Sequence, residues 1–233
     1  MKTYAIATTP DDLALRVNVA DALDFTPIYQ ARPGMKMPLI IYRNNRPEIV
    51  SAMWGMRSSA AYNTVHMNRV LKGRPWNILI RKNKCAVPAN CIVVEKPDSP
   101  GEAYVIRLPQ HRLFMMAGVY QQKGDDYFFT LLETESADII SSVAPDMPVF
   151  FHCDRVLKWL QATELDSIFR YADKAGNNWF DYFRVDSKIL DPKVNERDLL
   201  IPLGLSHAQW LDRQKRTAAA SFEKERANRR NSK

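Results

Sequence analysis

The feature that most constrains the fold is a series of short apolar segments, separated by turn residues, that runs along most of the chain. The clearest of them is KCAVPANCIVVEK at residues 84–96, in which the apolar letters IVV are followed by Glu95. Short runs that are rich in β-branched residues are typical of buried strands. The sequence therefore predicts a core built mainly from β-strands, with Glu95 as a solvated strand end.

The other segments extend this prediction to the rest of the chain. Further strand-like segments are KTYAIATT, MPLIIYR, EIVSAMWG, EAYVIRL, LFMMAGVYQQK, YFFTLLETES and YFRVDSKI. Asn44-Asn45 predicts a hairpin turn, and the spacing of the three segments after residue 101 predicts an antiparallel meander. Helices are predicted in DDLALRVNVADAL, capped by Thr9 or Asp11, in VLKWLQ and in the terminal segment. The predicted fold class is α+β, with antiparallel sheets and a few flanking helices.

The positive charge of the chain is concentrated in two places. Residues 213–233 contain eight Lys or Arg and two Glu, so this segment carries +6 of the net charge of +7. That contrast predicts a domain over residues 1–205 and a basic helical extension or tail over residues 206–233. The second place is the stretch from Arg57 to Lys84, which contains seven basic residues and no acidic one.

Aromatic residues accompany this second basic stretch. Its basic members are Arg57, Arg69, Lys72, Arg74, Arg81, Lys82 and Lys84, and the nearby aromatic residues are Trp54, Tyr62 and Trp76. Cations bind phosphates and flat rings stack on bases, which are the two requirements for binding single-stranded nucleic acid. A solvated basic face above aromatic core residues would have the same pattern. Composition alone leaves both interpretations open.

Several classes of chemistry are not indicated by the sequence. The three cysteines form no C-x-x-C pair and the four histidines have no metal-ligand spacing, so we expect no disulfide framework, no metal and a reducing cytoplasm. No glycine-rich phosphate loop and no G-x-S-x-G motif occurs, so we expect neither a nucleotide cofactor nor an α/β-hydrolase. No apolar run approaches the roughly 20 residues that cross a bilayer, so we expect no membrane association.

Six motifs occur in an order that resembles the SOS response-associated peptidase family. They are MWGM (53–56), KCAVPANCIVVEK (84–96), MMAGVYQQ (115–122), FFTLLETESAD (128–138), PDMPVFF (145–151) and DPKVNERDLLIPL (191–203). The resemblance covers roughly residues 1–203. The resemblance implies a compact arrangement of antiparallel sheets with a basic channel for single-stranded DNA. It also implies an activity, since members of that family crosslink covalently to abasic sites in single-stranded DNA.

The sequence departs from the family pattern at the residues that would perform this chemistry. The family nucleophile is a cysteine directly after the first methionine, and Lys2 occupies that position here. The resemblance places the family's catalytic glutamate at Val94 and its histidine at Ala144. One site residue of the family, an asparagine, is matched by Asn63.

These departures lead to a hypothesis with two alternatives. We expect a catalytically degenerate member of the family that binds single-stranded or damaged DNA non-covalently. The residues expected to contact DNA are Trp54, Arg57, Asn63, Arg69, Arg74, Trp76, Arg81 and Lys82. The first alternative is an abasic-site crosslinker or lyase that acts through the amine of Met1 or Lys2, with Asn63 in the site. The second is a protein-interaction module without a role on DNA.

Overall fold

The computed structural model describes residues 3–56, 63–70, 72–109, 112–164, 167–168, 170, 180–216 and 219. The strands in chain order are β1 (Thr3–Ile6), β2 (Ile28–Ala31), β3 (Lys36–Arg43), β4 (Arg46–Trp54), β5 (Thr64–His66), β6 (Lys84–Ala89), β7 (Cys91–Glu95), β8 (Ala103–Arg107), β9 (Phe114–Lys123), β10 (Asp126–Glu135), β11 (Asp146–Pro148), β12 (Phe150–His152) and β13 (Asp181–Val185). The helices are α1 (Pro10–Val17), α2 (Met67–Val70), α3 (Trp76–Lys82), α4 (Val156–Gln161) and α5 (207–216). Short 3₁₀ turns connect several of them.

Five strands close into a barrel. β3 pairs antiparallel with β4 and β6, β9 pairs antiparallel with β6 and β10, and β10 returns to β4 in a parallel pairing. Each of the five strands therefore has a partner on both sides, which leaves no open edge in this part of the sheet. The side chains that point inward form one apolar cluster, to which Leu39, Ile41, Val87, Phe129 and Leu131 belong.

A second sheet, with strand order β13-β8-β7-β1-β2, packs against the barrel. Its two faces follow the strict alternation of side chains along a strand. Tyr4 and Ile92 belong to the same apolar cluster as the barrel interior. Ala5 and Val93, one residue further along each strand, belong to a separate cluster on the outer face of the sheet. The molecule is thus layered, with the barrel on one side of this sheet and a smaller core on the other.

The segment at residues 84–96 does not form the single strand that the sequence predicted. It divides into β6, which belongs to the barrel, and β7, which belongs to the five-stranded sheet. The division falls at Asn90, whose backbone N–H donates to the Ala5 carbonyl at 2.8 Å and whose Oδ1 accepts from the Ala7 N–H at 2.7 Å. Both halves are buried, so an apolar pattern could not reveal the change of sheet.

The first four helices, α1 to α4, cover the outer wall of the barrel. α1 begins where predicted, because the Thr9 hydroxyl accepts from the Asp12 N–H at 3.3 Å, but it ends at Val17 with Asn18 in the left-handed conformation (φ 54°). α3 and α4 pack with outward-facing residues of the barrel in a third apolar cluster. The indole of Trp159 in α4 donates to the Cys85 carbonyl at 2.8 Å and ties that helix to β6.

The predicted fold class is confirmed, with two corrections to the strand pairing. Asn44 and Asn45 form the expected hairpin turn between β3 and β4, both with positive φ (53° and 61°), as a type I′ turn requires. The meander is only partly formed: β9 pairs with β10, but β8 lies in the five-stranded sheet. In addition, β10 pairs in parallel with β4 and β5, where only antiparallel pairing was expected. No helix among the described residues is long and apolar enough to cross a membrane.

Candidate nucleic-acid interface

β1 brings the start of the chain beside the end of β7. The two strands are antiparallel, with Thr3 opposite Val93 and Tyr4 opposite Ile92. Val94 is the next residue of β7 after the partner of Thr3, so it lies beside the N-terminal end of β1. Met1 and Lys2, which the sequence analysis named as candidate amines, lie outside the described residues.

Val94 and Ala144 lie in the main apolar core. Each side chain is 4% exposed, and both belong to the cluster that contains Tyr4 and Trp54. The resemblance implied a catalytic glutamate at the first of these positions and a histidine at the second. Aliphatic side chains can neither donate nor accept a proton, so the two positions supply no acid or base.

Trp54 anchors the backbone of Asn63. The Trp54 side chain is 1% exposed, its ring lies 5.0 Å from that of Tyr4, and its Nε1 donates to the Asn63 carbonyl at 2.9 Å. The backbone N–H of Leu131 donates to the same carbonyl at 3.0 Å. These contacts fix the Asn63 backbone while its half-buried side chain reaches the surface. Trp54 itself presents no ring face to solvent in this conformation.

A polar group that the sequence analysis did not single out lies close along the chain to Asn63. His66, at the end of β5, has its Nε2 3.7 Å from Oδ1 of Asp146 on β11, and its Nδ1 accepts from the Asn68 N–H at 3.2 Å. Because Nδ1 accepts, a neutral imidazole carries its proton on Nε2, facing Asp146. Glu133 stands opposite His66 in the β5–β10 ladder. Only strand pairing brings these residues together, so sequence spacing gave no signal for them.

Most of the predicted basic residues are exposed on neighbouring elements, and we term these residues together the basic surface. It comprises Arg69, Lys72, Arg74, Arg81 and Lys82, all exposed, on α2, α3 and the turn between them. α2 packs against α3, which keeps these cations on neighbouring elements. Trp76 is 6% exposed and belongs to the apolar cluster between α3 and the barrel, so it anchors the basic surface from beneath. Arg57 lies outside the described residues.

Lys84 differs from the other cations of this stretch because it is buried. The residue is 4% exposed, and its Nζ donates to the carbonyls of Ile80 at 3.3 Å and Arg81 at 3.4 Å. Burial lowers the pKa of the Lys84 amine to about 8, since desolvation disfavours the charged form. Lys84 therefore caps the C-terminal end of α3 and does not extend the basic surface.

The family of this chain follows from a comparison with known sequences. Residues 2–192 match the model of the family described as SOS response associated peptidase (SRAP). Because the match extends over most of the chain, the protein belongs to the SRAP family. No curated protein is similar enough to count as a match.

Solved structures support the same fold. A protein from Bacteroides thetaiotaomicron is similar with a TM-score of 0.71 and 15% identity, over 87% of this chain and 99% of that one. A phage-related protein from Bordetella bronchiseptica has a TM-score of 0.63 and 16% identity, over 79% and 94%. Another protein from that bacterium has a TM-score of 0.66 and 11% identity, over 80% and 100%. At these identities the likeness concerns the fold.

The burial of Lys84 predicts a pH-dependent contribution to stability. Its pKa is about 8 in the folded protein and about 10.4 in an unfolded chain, so between these values the unfolded chain binds more protons and stability rises with pH. Relative to Lys84→Met, the free energy of unfolding of the native sequence should rise by about 2 kcal/mol from pH 7 to pH 9.5. Urea unfolding across this pH range measures the difference.

Comparison with a variant is needed because other buried groups titrate in the opposite sense. Burial raises the pKa of the Cys85 and Cys91 thiols, which lowers stability at alkaline pH in both proteins and cancels in the difference. The neighbouring exposed Lys82 provides the control, because Lys82→Met should leave the pH profile unchanged. A difference for Lys84→Met that does not vary with pH would mean that its amine is solvated.

The packing of Val94 predicts that a carboxylate is not tolerated there. Val94→Glu would bury a charge in an apolar cluster and should lower the free energy of unfolding at pH 7 by about 2–4 kcal/mol. The loss should be smaller at pH 4, because burial raises the pKa of a carboxyl and the neutral form is then available. Leu15→Glu, at a side chain that is 80% exposed, should change stability by less than about 0.5 kcal/mol. Equal effects of the two substitutions would indicate a water-filled pocket beside Val94.

Proposed function

We propose that this SRAP-family protein binds single-stranded or damaged DNA non-covalently and has lost the covalent chemistry of its family. The observation that carries the proposal is the contrast between two regions. Val94 and Ala144, where the resemblance implies the acid and base, are packed in the apolar core. The residues of the basic surface, in contrast, are all exposed, on α2, α3 and the turn between them.

Phosphate charge supplies most of the affinity in this proposal. Arg69, Arg74, Arg81 and Lys82 bind the DNA backbone, and Arg57 is assigned to the same role from its place in the sequence. No acidic residue interrupts the stretch from 57 to 84, so nothing within it offsets the attraction. Each phosphate that is neutralised releases counterions, and binding to a single strand should weaken with salt with a slope of about −0.7 per contact.

Asn63 has a positional role beside these cations. Its backbone is held by Trp54 and Leu131, and its half-buried amide is available to hydrogen-bond a deoxyribose or a phosphate. The sequence offered Trp54 or Trp76 for stacking on bases, with a structural role favoured for Trp54. Both indoles are buried, so in this proposal they support the site from the core and base stacking is assigned to neither.

A second candidate function rests on His66 and Asp146. The Met1 α-amine has an ordinary pKa of about 7.7–8.0 and is partly neutral at physiological pH, whereas the Lys2 amine, at about 10.4, is not. The neutral Met1 amine would attack the aldehyde of an abasic site, and the adduct would lose water to form an imine, with His66 relaying the proton near Asn63. The Lys2 amine would do the same only if burial or neighbouring cations lowered its pKa. Residue 2 is a lysine, so there is no thiol at this position to trap the imine, and the product would be reversible.

A protein-interaction module is the third candidate. Such a module would be expected to present a contiguous apolar patch. The exposed large apolar residues among those described lie on different elements, including Leu15 on α1, Ile78 on α3 and Leu157 on α4.

The proposal predicts that Arg69→Ala combined with Arg74→Ala weakens binding to a single-stranded oligonucleotide. Two lost phosphate contacts should lower the affinity by at least about tenfold near 0.1 M salt and reduce the slope of log affinity against log salt by about 1.4. Fluorescence anisotropy over a salt series gives both quantities. Lys188→Ala combined with Lys193→Ala removes the same charge from exposed positions elsewhere and should change affinity less than about twofold. Equal behaviour of the two double variants would contradict a DNA site on the basic surface.

A further inference from the structure

A cavity of about 270 Å³ lies between the outer face of the five-stranded sheet and α5. Cys91 of β7 and Val105 of β8 form its floor, and His207 and Trp210 of α5 are among the residues on the opposite side. This volume is far larger than the ~10–15 Å³ that holds one water molecule and stands at the small end of ligand sites.

A buried arginine gives this cavity a fixed positive charge. Arg107 is 2% exposed and lines the cavity, and its guanidinium carbon lies 5.0 Å from the centroid of Phe183 and 4.6 Å from that of Trp210. These two rings are themselves in edge contact, with centroids 5.3 Å apart. Burial lowers the pKa of Arg107 to about 10, which leaves it charged at neutral pH. Arg107 forms an ion pair with the half-exposed Asp181, whose Oδ2 lies 3.8 Å from Nη2.

The remaining lining is cationic or neutral. Arg197 and His207 both line the cavity. Nδ1 of His207 lies 2.8 Å from Oδ1 of Asp198. No aspartate or glutamate is among the lining residues, so the wall itself contributes two guanidinium charges, with Asp181 and Asp198 beside it as partners of Arg107 and His207. Leu200 and Ile201 contribute apolar wall beside these charges.

This cavity is on the opposite side of the molecule from the basic surface. Its floor residues belong to the outer face of the sheet, and the next residues along the same strands, Ile92 and Ile106, pack into the barrel core. α3 lies beyond the barrel, in the cluster that covers the outer wall of the barrel. The sheet and the barrel therefore separate the cavity from the proposed DNA site.

We propose that this cavity binds a small organic anion, a phosphate monoester or a carboxylate attached to a ring. A guanidinium presents N–H donors in a planar fork that matches such a group, and Arg107 is already oriented by its two rings. The apolar wall takes the ring, and the volume limits the ligand to roughly the size of a mononucleotide. This site is independent of DNA binding, because it shares no residue with the basic surface.

Isothermal titration calorimetry with two probes, phenyl phosphate and deoxyadenosine monophosphate, tests the proposal on the full chain. At least one of them should bind at one site with a Kd below about 1 mM. Inorganic phosphate, which lacks the ring, and deoxyadenosine, which lacks the charge, should bind at least about tenfold more weakly. Failure of both probes to bind would overturn the proposal.

Variants then assign the binding to this cavity. Arg197→Glu and, separately, Gln214→Glu place a negative charge on the lining without removing a buried group, and each should weaken probe binding at least about tenfold. Lys193→Glu makes the same charge change as Arg197→Glu at an exposed position outside the lining and should leave the affinity within about twofold. Arg69→Ala with Arg74→Ala should also leave it unchanged. Binding that is lost in this last variant but retained in Arg197→Glu would place the anion on the basic surface and refute the proposal.

Discussion

Closure of the barrel by the parallel pairing of β10 with β4 is the constraint on which the rest of the structure depends. This pairing sets Trp54, at the end of β4, beside Phe129 in the barrel interior. From there the Trp54 indole fixes the Asn63 carbonyl, and β10 continues past β4 to pair with β5 and then β11. The elements around the candidate site are therefore positioned by one long strand, and its apolar face connects them to the core.

The same packing accounts for the proposed loss of chemistry. At the junction of a barrel and a sheet, an inward-facing side chain has one of two roles: it lines a pocket as a functional group, or it packs in the apolar core. Val94 and Ala144 are aliphatic and take the second role, which adds apolar contacts between the sheet and the barrel. Charge is retained outside the barrel on α2 and α3, where Trp76 anchors the helix beneath its cations. In this proposal, packing has taken the place of acid–base groups while the cations remain, an arrangement suited to binding without bond formation.

The sequence predicted where strands and helices form better than it predicted which strands pair and which side chains meet. Turn chemistry at Asn44-Asn45 and the cap at Thr9 are local, so both were predictable from a few letters. The change of sheet at Asn90 was not, because both sides of it are equally apolar. The sequence grouped Lys84 with the cations from Arg69 to Lys82. It could not show that Lys84 is buried, because that burial depends on the end of α3 packing over it. The contact of His66 with Asp146 joins residues 80 positions apart and had no signal in spacing.

The central claim, binding without covalent chemistry, is tested most directly by incubating the full chain with single-stranded DNA that carries one abasic site. The mixture is analysed on a native gel and, with and without borohydride, on a denaturing gel. We predict a shifted band on the native gel and no adduct on the denaturing gel under either condition. An adduct that appears only after borohydride would show that an amine forms an imine and would contradict the claim. Absence of any native shift would contradict DNA binding itself.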